Sequence, residues 1–104
     1  MKTVNANEVK TAMENAGLNG FYWRHTGGGV GTFTYHFDGV DIYIGPGSYH
    51  ERTLWLEQDS CCVGAYTTEG DEIGYAYVTS IAEIIDAALT LRDKTLEHLA
   101  GVVK

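Results

Sequence analysis

The chain has 104 residues, of which 44% are hydrophobic and 20% are charged, and its formal net charge is −7. This length and composition fit one folded domain over residues 1–104 and argue against intrinsic disorder and against a fibrous repeat. The negative charge argues against direct nucleic-acid binding, because DNA- and RNA-binding proteins attach mainly by setting Lys and Arg against phosphates.

The apolar runs and the two cysteines bear on location. No apolar run approaches the roughly 20 residues of a membrane span, so no membrane contact is expected. Cys61 and Cys62 are adjacent, and a bridge between neighbouring cysteines closes a strained ring. We therefore expect reduced thiols and a cytoplasmic protein.

The first predicted element is a helix over residues 6–16. Asn5 is a good N-cap, and Glu8, three residues later, completes a capping box. Gly17 stands where a glycine commonly ends a helix.

Residues 21–79 then carry short β-rich runs separated by glycine-containing turns. The predicted strands cover 21–26, 32–37, 40–44, 53–57, 61–67 and 73–79. Their short connections predict a five- or six-stranded antiparallel meander sheet. The glycine-rich residues 27–31 lack the ending of a phosphate-binding loop and precede a strand, so they predict a flexible hairpin loop. Residues 45–48 are expected to lead away from the sheet.

A second capping box, Ser80 with Glu83, opens a predicted helix over residues 80–99. Its apolar face comprises Ile84, Ile85, Ala88 and Leu91. This face is expected to pack on Phe33, Phe37, Ile42, Ile44, Leu54 and Leu56. The predicted fold class is therefore α+β with two layers: an N-terminal helix, the meander sheet and a C-terminal helix, with both helices on one sheet face.

The residues that could carry chemistry lack the spacing that chemistry needs. The histidines and cysteines include no Cys-x₂-Cys and no His-x₃-His pair, which are typical of zinc sites. A thiol enzyme would need Cys61 or Cys62 beside a histidine, but a cysteine in a strand is commonly a small buried hydrophobe. We expect no catalytic residue, no metal site and no cofactor.

The predicted interface is the sheet face that points away from the helices. Alternation along the strands places Tyr43 and Trp55 there, together with Tyr22. The face of Tyr66, Tyr75 and Tyr77 stays open. Between His25 and Leu91 the sequence has ten acids and one base, a balance that steers a protein toward a basic partner. The predicted partner-binding residues are Tyr22, Asp38, Asp41, Tyr43, Glu51, Trp55 and Glu57.

No motif ties the chain to a family, but in size, charge and order of elements it resembles immunity proteins and phage-encoded inhibitors. We therefore expect a non-enzymatic module that inhibits or regulates another protein with a basic surface. One version of this hypothesis is mimicry, in which acids imitate the phosphates of a nucleic acid. Two alternatives stay open: a small-ligand-binding domain with an aromatic-lined pocket between sheet and helices, and a structural homo-oligomer subunit, including a homodimer.

Overall fold

The structure, a computed structural model, describes residues 2–102. Over this range it contains two helices and seven strands. In chain order these are β1 (Thr3–Asn5), α1 (Ala6–Asn15), β2 (Tyr22–Gly27), β3 (Val30–Phe37), β4 (Val40–Ser48), β5 (Thr53–Trp55), β6 (Cys61–Thr67), β7 (Glu72–Val78) and α2 (Ile81–Val102). The predicted α+β class with an N-terminal and a C-terminal helix is confirmed. No helix within the described range is long and apolar enough to cross a membrane.

The seven strands form one sheet in which every pairing is antiparallel. β3 lies between β2 and β4. The other edge of β4 is divided between two partners, because residues 40–45 pair with β6 and residues 47–48 pair with β5. β6 then pairs with β7, and β5 pairs with β1.

The prediction that residues 45–48 leave the sheet is wrong, because β4 continues to Ser48. Pro46 lies in the gap between the β6-paired and β5-paired parts of β4 and has no partner in the register with β3. A proline is tolerated at such an irregularity, where no ladder bond needs its missing N–H group. β1 is a further strand that the sequence pattern does not predict.

The β2–β3 connection is tighter than the flexible loop predicted over residues 27–31. Gly27 pairs with Val30 across a two-residue turn, in which φ is 59° at Gly28 and 78° at Gly29. Positive φ at both central residues is the signature of a type I′ turn, whose twist matches that of the flanking strands. The glycines therefore fix a hairpin.

Both helices lie on one face of the sheet, as predicted, and the core fills the space between them. Val9 and Met13 of α1 and Ile84 and Ala88 of α2 are fully buried. The buried sheet side chains in the same cluster include Phe33, Val40, Ile42, Ile44, Leu54, Val63, Ala65 and Val78. Leu56 is buried as well, and Ile85 is partly buried against this cluster.

The placement of Phe37 in the core is wrong, because its side chain is 60% exposed. α2 packs against β7, β6 and β4. Phe37 is at the end of β3, the next strand beyond β4. β2 begins at Tyr22, opposite Thr34, so it does not reach Phe37 either. Its contact on this face is the Tyr35 ring, with centroids 6.1 Å apart.

The N-terminus of α2 is held by reciprocal capping at the predicted pair Ser80 and Glu83, with the return bond of Glu83 made to Thr79 and not to Ser80. The Ser80 hydroxyl accepts a hydrogen bond from the Glu83 N–H at 3.1 Å. The Glu83 carboxylate accepts from the N–H and the hydroxyl of Thr79, each at 2.7 Å. These bonds satisfy donors that a helix start leaves without intrahelical partners.

Leu91→Ala tests the packing of α2 on the sheet. Leu91 is 6% exposed, so its truncation should lower the free energy of unfolding by about 2–5 kcal/mol through lost burial and a residual cavity. Leu96→Ala, on the same helix at 41% exposure, is the control and should change it by less than about 0.5 kcal/mol. Chemical denaturation measures both, and equal effects would place the buried face of α2 elsewhere.

Candidate functional site

The sheet surface opposite the helices carries five tyrosines, which we call the tyrosine face. Its members are Tyr22, Tyr43, Tyr66, Tyr75 and Tyr77. Directly paired residues share a face of an antiparallel sheet, and this register joins Tyr43 to Gly64 and Gly64 to Tyr75. No helix in the described part of the chain covers this surface.

The close approach of α2 decides where Tyr75 and Tyr77 point, which the sequence leaves open. A Cβ atom on Gly74 would lie 3.1 Å from a methyl carbon of Leu91, and Val78 is buried. These even-numbered residues of β7 therefore face α2. Tyr75 and Tyr77 point to the opposite face, where they are 60% and 56% exposed.

Aromatic rings form a continuous row across four strands of this face. Tyr22 on β2 lies 6.3 Å from the ring of His36 on β3, measured between centroids. His36 lies 6.0 Å from Tyr43 on β4, which lies 5.9 Å from Tyr66 on β6. Aromatic rings at these separations attract one another, and each such pair contributes about 0.5–1.5 kcal/mol beyond the effect of the area it buries.

The charges on the tyrosine face are few and of both signs. His36 Nδ1 and Asp41 Oδ1 are 2.7 Å apart, and the Asp41 side chain is the more buried of the two. Burial, and then the Asp41 carboxylate, raise the pKa of Tyr43, whereas the Arg24 guanidinium lowers it. The Tyr43 hydroxyl therefore remains a hydrogen-bond donor at neutral pH.

A hollow of about 490 Å³ opens between the rings of Tyr43 and Tyr66. It exists because Gly45 and Gly64, which lie on its floor, have no side chains. The Tyr66 ring bends back over Gly64, so a Cβ atom there would lie 3.4 Å from it. The full lining is Thr32, Tyr43, Gly45, Pro46, Cys62, Gly64 and Tyr66. The hollow lies on the tyrosine face, not between the sheet and the helices.

The structure brings together three of the predicted partner-binding residues. Tyr22, Asp41 and Tyr43 are joined through His36, which sequence reasoning did not select. The pairing of His36 with Asp41 follows from the β3–β4 register. That register can be read from the tight Asp38-Gly39 turn, so a signal for it is present in the sequence.

The other four predicted residues lie outside this cluster. Trp55 is half-buried on β5, directly opposite Thr3, and makes no ring contact with any tyrosine between residues 2 and 102. Asp38 is in the β3–β4 turn, and Glu51 and Glu57 are in the connections on either side of β5.

The histidines and cysteines are dispersed. His25 and His50 meet at the β2–β3 hairpin end with centroids 6.0 Å apart, whereas His36 is on the tyrosine face. Among the residues described, no group of three or more His, Cys, Asp or Glu side chains is placed to hold a metal ion.

Both thiols are disfavoured as anions. Burial raises the pKa of Cys61 to about 12. Burial also raises the pKa of Cys62 above its ordinary value. Because the thiolate is the reactive form, both side chains are held in the unreactive state at neutral pH.

Comparison of the chain with protein-family models, with curated proteins and with solved structures found no match.

Proposed function

We propose that the protein is a non-enzymatic binding module that inhibits or regulates another protein by docking its tyrosine face on that partner. The observation that carries the proposal is the uncovered row of rings across the sheet. Tyrosine buries a large area on binding and loses little side-chain entropy, which is why it is enriched at protein interfaces.

The hollow between Tyr43 and Tyr66 gives this face a place for an anchor. Interfaces commonly centre on a few side chains that fill pockets in the partner and exclude water there. The ring walls and the glycine floor suit an apolar or aromatic side chain. The hydroxyls of the surrounding tyrosines can bond to polar groups at its rim.

The partner in this proposal has a basic surface. The chain carries a formal net charge of −7, and most of its acids lie away from the tyrosine face, in turns and on the helices. Such charges act at a distance, so they increase the rate of encounter more than they hold the complex together. The face itself combines Asp41 with Arg24 and neutral rings, so we assign the contact to tyrosines and not to acids imitating phosphates.

Alanine variants of Tyr22 and Tyr66 test the proposal in affinity capture from extracts of the cells that produce the protein. Each should weaken the captured complex by roughly 2 kcal/mol or more, which is about a 30-fold loss of affinity. Phe37→Ala is the control, because it removes an exposed ring from the other face of the sheet. The proposal fails if Phe37→Ala weakens the complex as much as the tyrosine variants do. Tyr66→Phe, which keeps the ring over Gly64, should retain most of the affinity.

The thiols provide a separate test of the non-enzymatic part of the proposal. Because the pKa of each thiol is raised, the thiolate fraction at pH 8 is smaller than that of a free cysteine and grows only as the pH rises further. Iodoacetamide should therefore label folded Cys62 more slowly than glutathione and leave Cys61 unlabelled. Mass spectrometry of the digested protein reports both sites. Rapid labelling of either thiol at neutral pH would indicate an activated thiol instead.

A further inference from the structure

β7 presents a free edge that the rest of the sheet does not protect. It pairs with β6 on one side and with no strand of the described chain on the other. Every second residue of an edge strand points its N–H and C=O groups outward, where they can pair with an added strand. Proteins usually block such edges with proline, lysine or a bulge. From Gly74 to Val78, β7 has none of these.

The other edges of the sheet are blunted. β2 carries Arg24 and has an irregular register between His25 and Gly27. β1 has only three residues. The edge of β7 is thus the longest regular one in the described sheet.

A groove runs along this edge between β7 and α2. Two adjoining hollows of about 400 Å³ and 440 Å³ share Lys94 on their walls. The first lies beside Tyr75, Ala76, Tyr77 and Val78, and the second lies beside Glu72 and Ile73. Together they follow the whole length of β7.

The charged side chains along the groove are mainly acidic. Asp86 lines its first part, and Glu72 and Glu97 line its second part. Glu83 also lines it, although its carboxylate is engaged with Thr79. Among the residues described, Lys94 is the cation that lines both hollows, beside His98, and Lys2 donates a hydrogen bond to the Thr79 carbonyl at the end of β7.

We propose that this groove binds an extended basic segment of another protein, which adds to the edge of β7 as an additional strand. Main-chain hydrogen bonds to β7 would supply affinity, as in other strand-addition complexes. Alternate side chains of the segment would face α2, where lysine or arginine meets Asp86 and Glu97. The intervening side chains would lie beside the rings of Tyr75 and Tyr77 and are expected to be apolar.

Charge favours this occupant over a second copy of the chain. Pairing two β7 edges would bring two acidic grooves together and join two chains that each carry a formal charge of −7. Like charges placed side by side oppose association. A basic segment removes this repulsion.

Strand addition at the β7 edge does not require that the centre of the tyrosine face bind anything. Tyr43→Ala should leave segment binding unchanged, so failure of one proposal is distinguishable from failure of the other.

The probe is an acetylated and amidated peptide of alternating lysine and valine, about eight residues long to match the strand. Titration into isotope-labelled protein should shift amide resonances of β7 and of the facing side of α2, and slow hydrogen exchange at alternate β7 amides. Asp86→Lys should weaken binding by about tenfold, as expected for the loss of a close charge pair. Asp93→Lys is the matched control, because Asp93 is an exposed acid of α2 that does not line the groove.

The same peptide with every second amide N-methylated separates strand addition from simple charge attraction. It retains the lysines but cannot complete the main-chain ladder, so it should not bind measurably. The proposal is overturned if the methylated peptide binds equally, if the shifts lie away from β7, or if no binding occurs. Protection of β7 amides that rises with protein concentration in the absence of peptide would assign the edge to a second copy instead.

Discussion

The close packing of α2 on β7 and β6 is the interaction on which the surfaces of this protein depend. A methyl carbon of Leu91 on α2 lies 3.1 Å from the position that a Cβ atom on Gly74 would occupy. A side chain at residue 74 would therefore disturb this packing. Once the small residues of β7 face the helix, strand alternation turns Tyr75 and Tyr77 to the other side. The sheet register then places them beside Cys62 and Gly64, so one packing choice defines both the core and the tyrosine face.

The same packing defines the groove. α2 covers the inner face of β7 but leaves its edge open, and the polar side of the helix becomes the groove wall. The tyrosine face and the groove therefore meet along one strand while using different chemistry. The first offers rings and a glycine-floored hollow, and the second offers main-chain groups and carboxylates. A partner that engages both would contact the sheet along two directions: across the strands at the tyrosine face, and along β7 at the groove.

Much of the fold can be predicted from local signals. The capping residues locate both helix starts, and glycine-containing turns separate most of the strands, because these features depend on residues close together in the chain. The departures depend on contacts between distant residues. β1 forms because β5 pairs with it, and β4 continues past Pro46 because β5 takes over one edge. Phe37 is exposed because β2 does not extend beside it and α2 packs mainly on β7, β6 and β4.

The candidate site follows the same division. Alternation correctly places Tyr22 and Tyr43 on the same face. Short turns join β2, β3 and β4 and so fix how these strands pair. Alternation does not show that Trp55 lies apart from the tyrosines. Trp55 is on β5, which pairs with β1 and with the far end of β4. Nor can alternation decide the direction of Tyr75 and Tyr77, since either face of β7 could lie under a helix until the position of α2 is known.

Whether another molecule covers the tyrosine face in its natural setting can be measured without knowing that molecule. Hydroxyl-radical footprinting would compare oxidation of the protein in buffer with its oxidation in an extract of the cells that produce it. We predict that oxidation of Tyr22, Tyr66, Tyr75 and Tyr77 falls in the extract while that of Phe37, on the opposite face, does not change. Equal oxidation of the four tyrosines in buffer and in extract would contradict it.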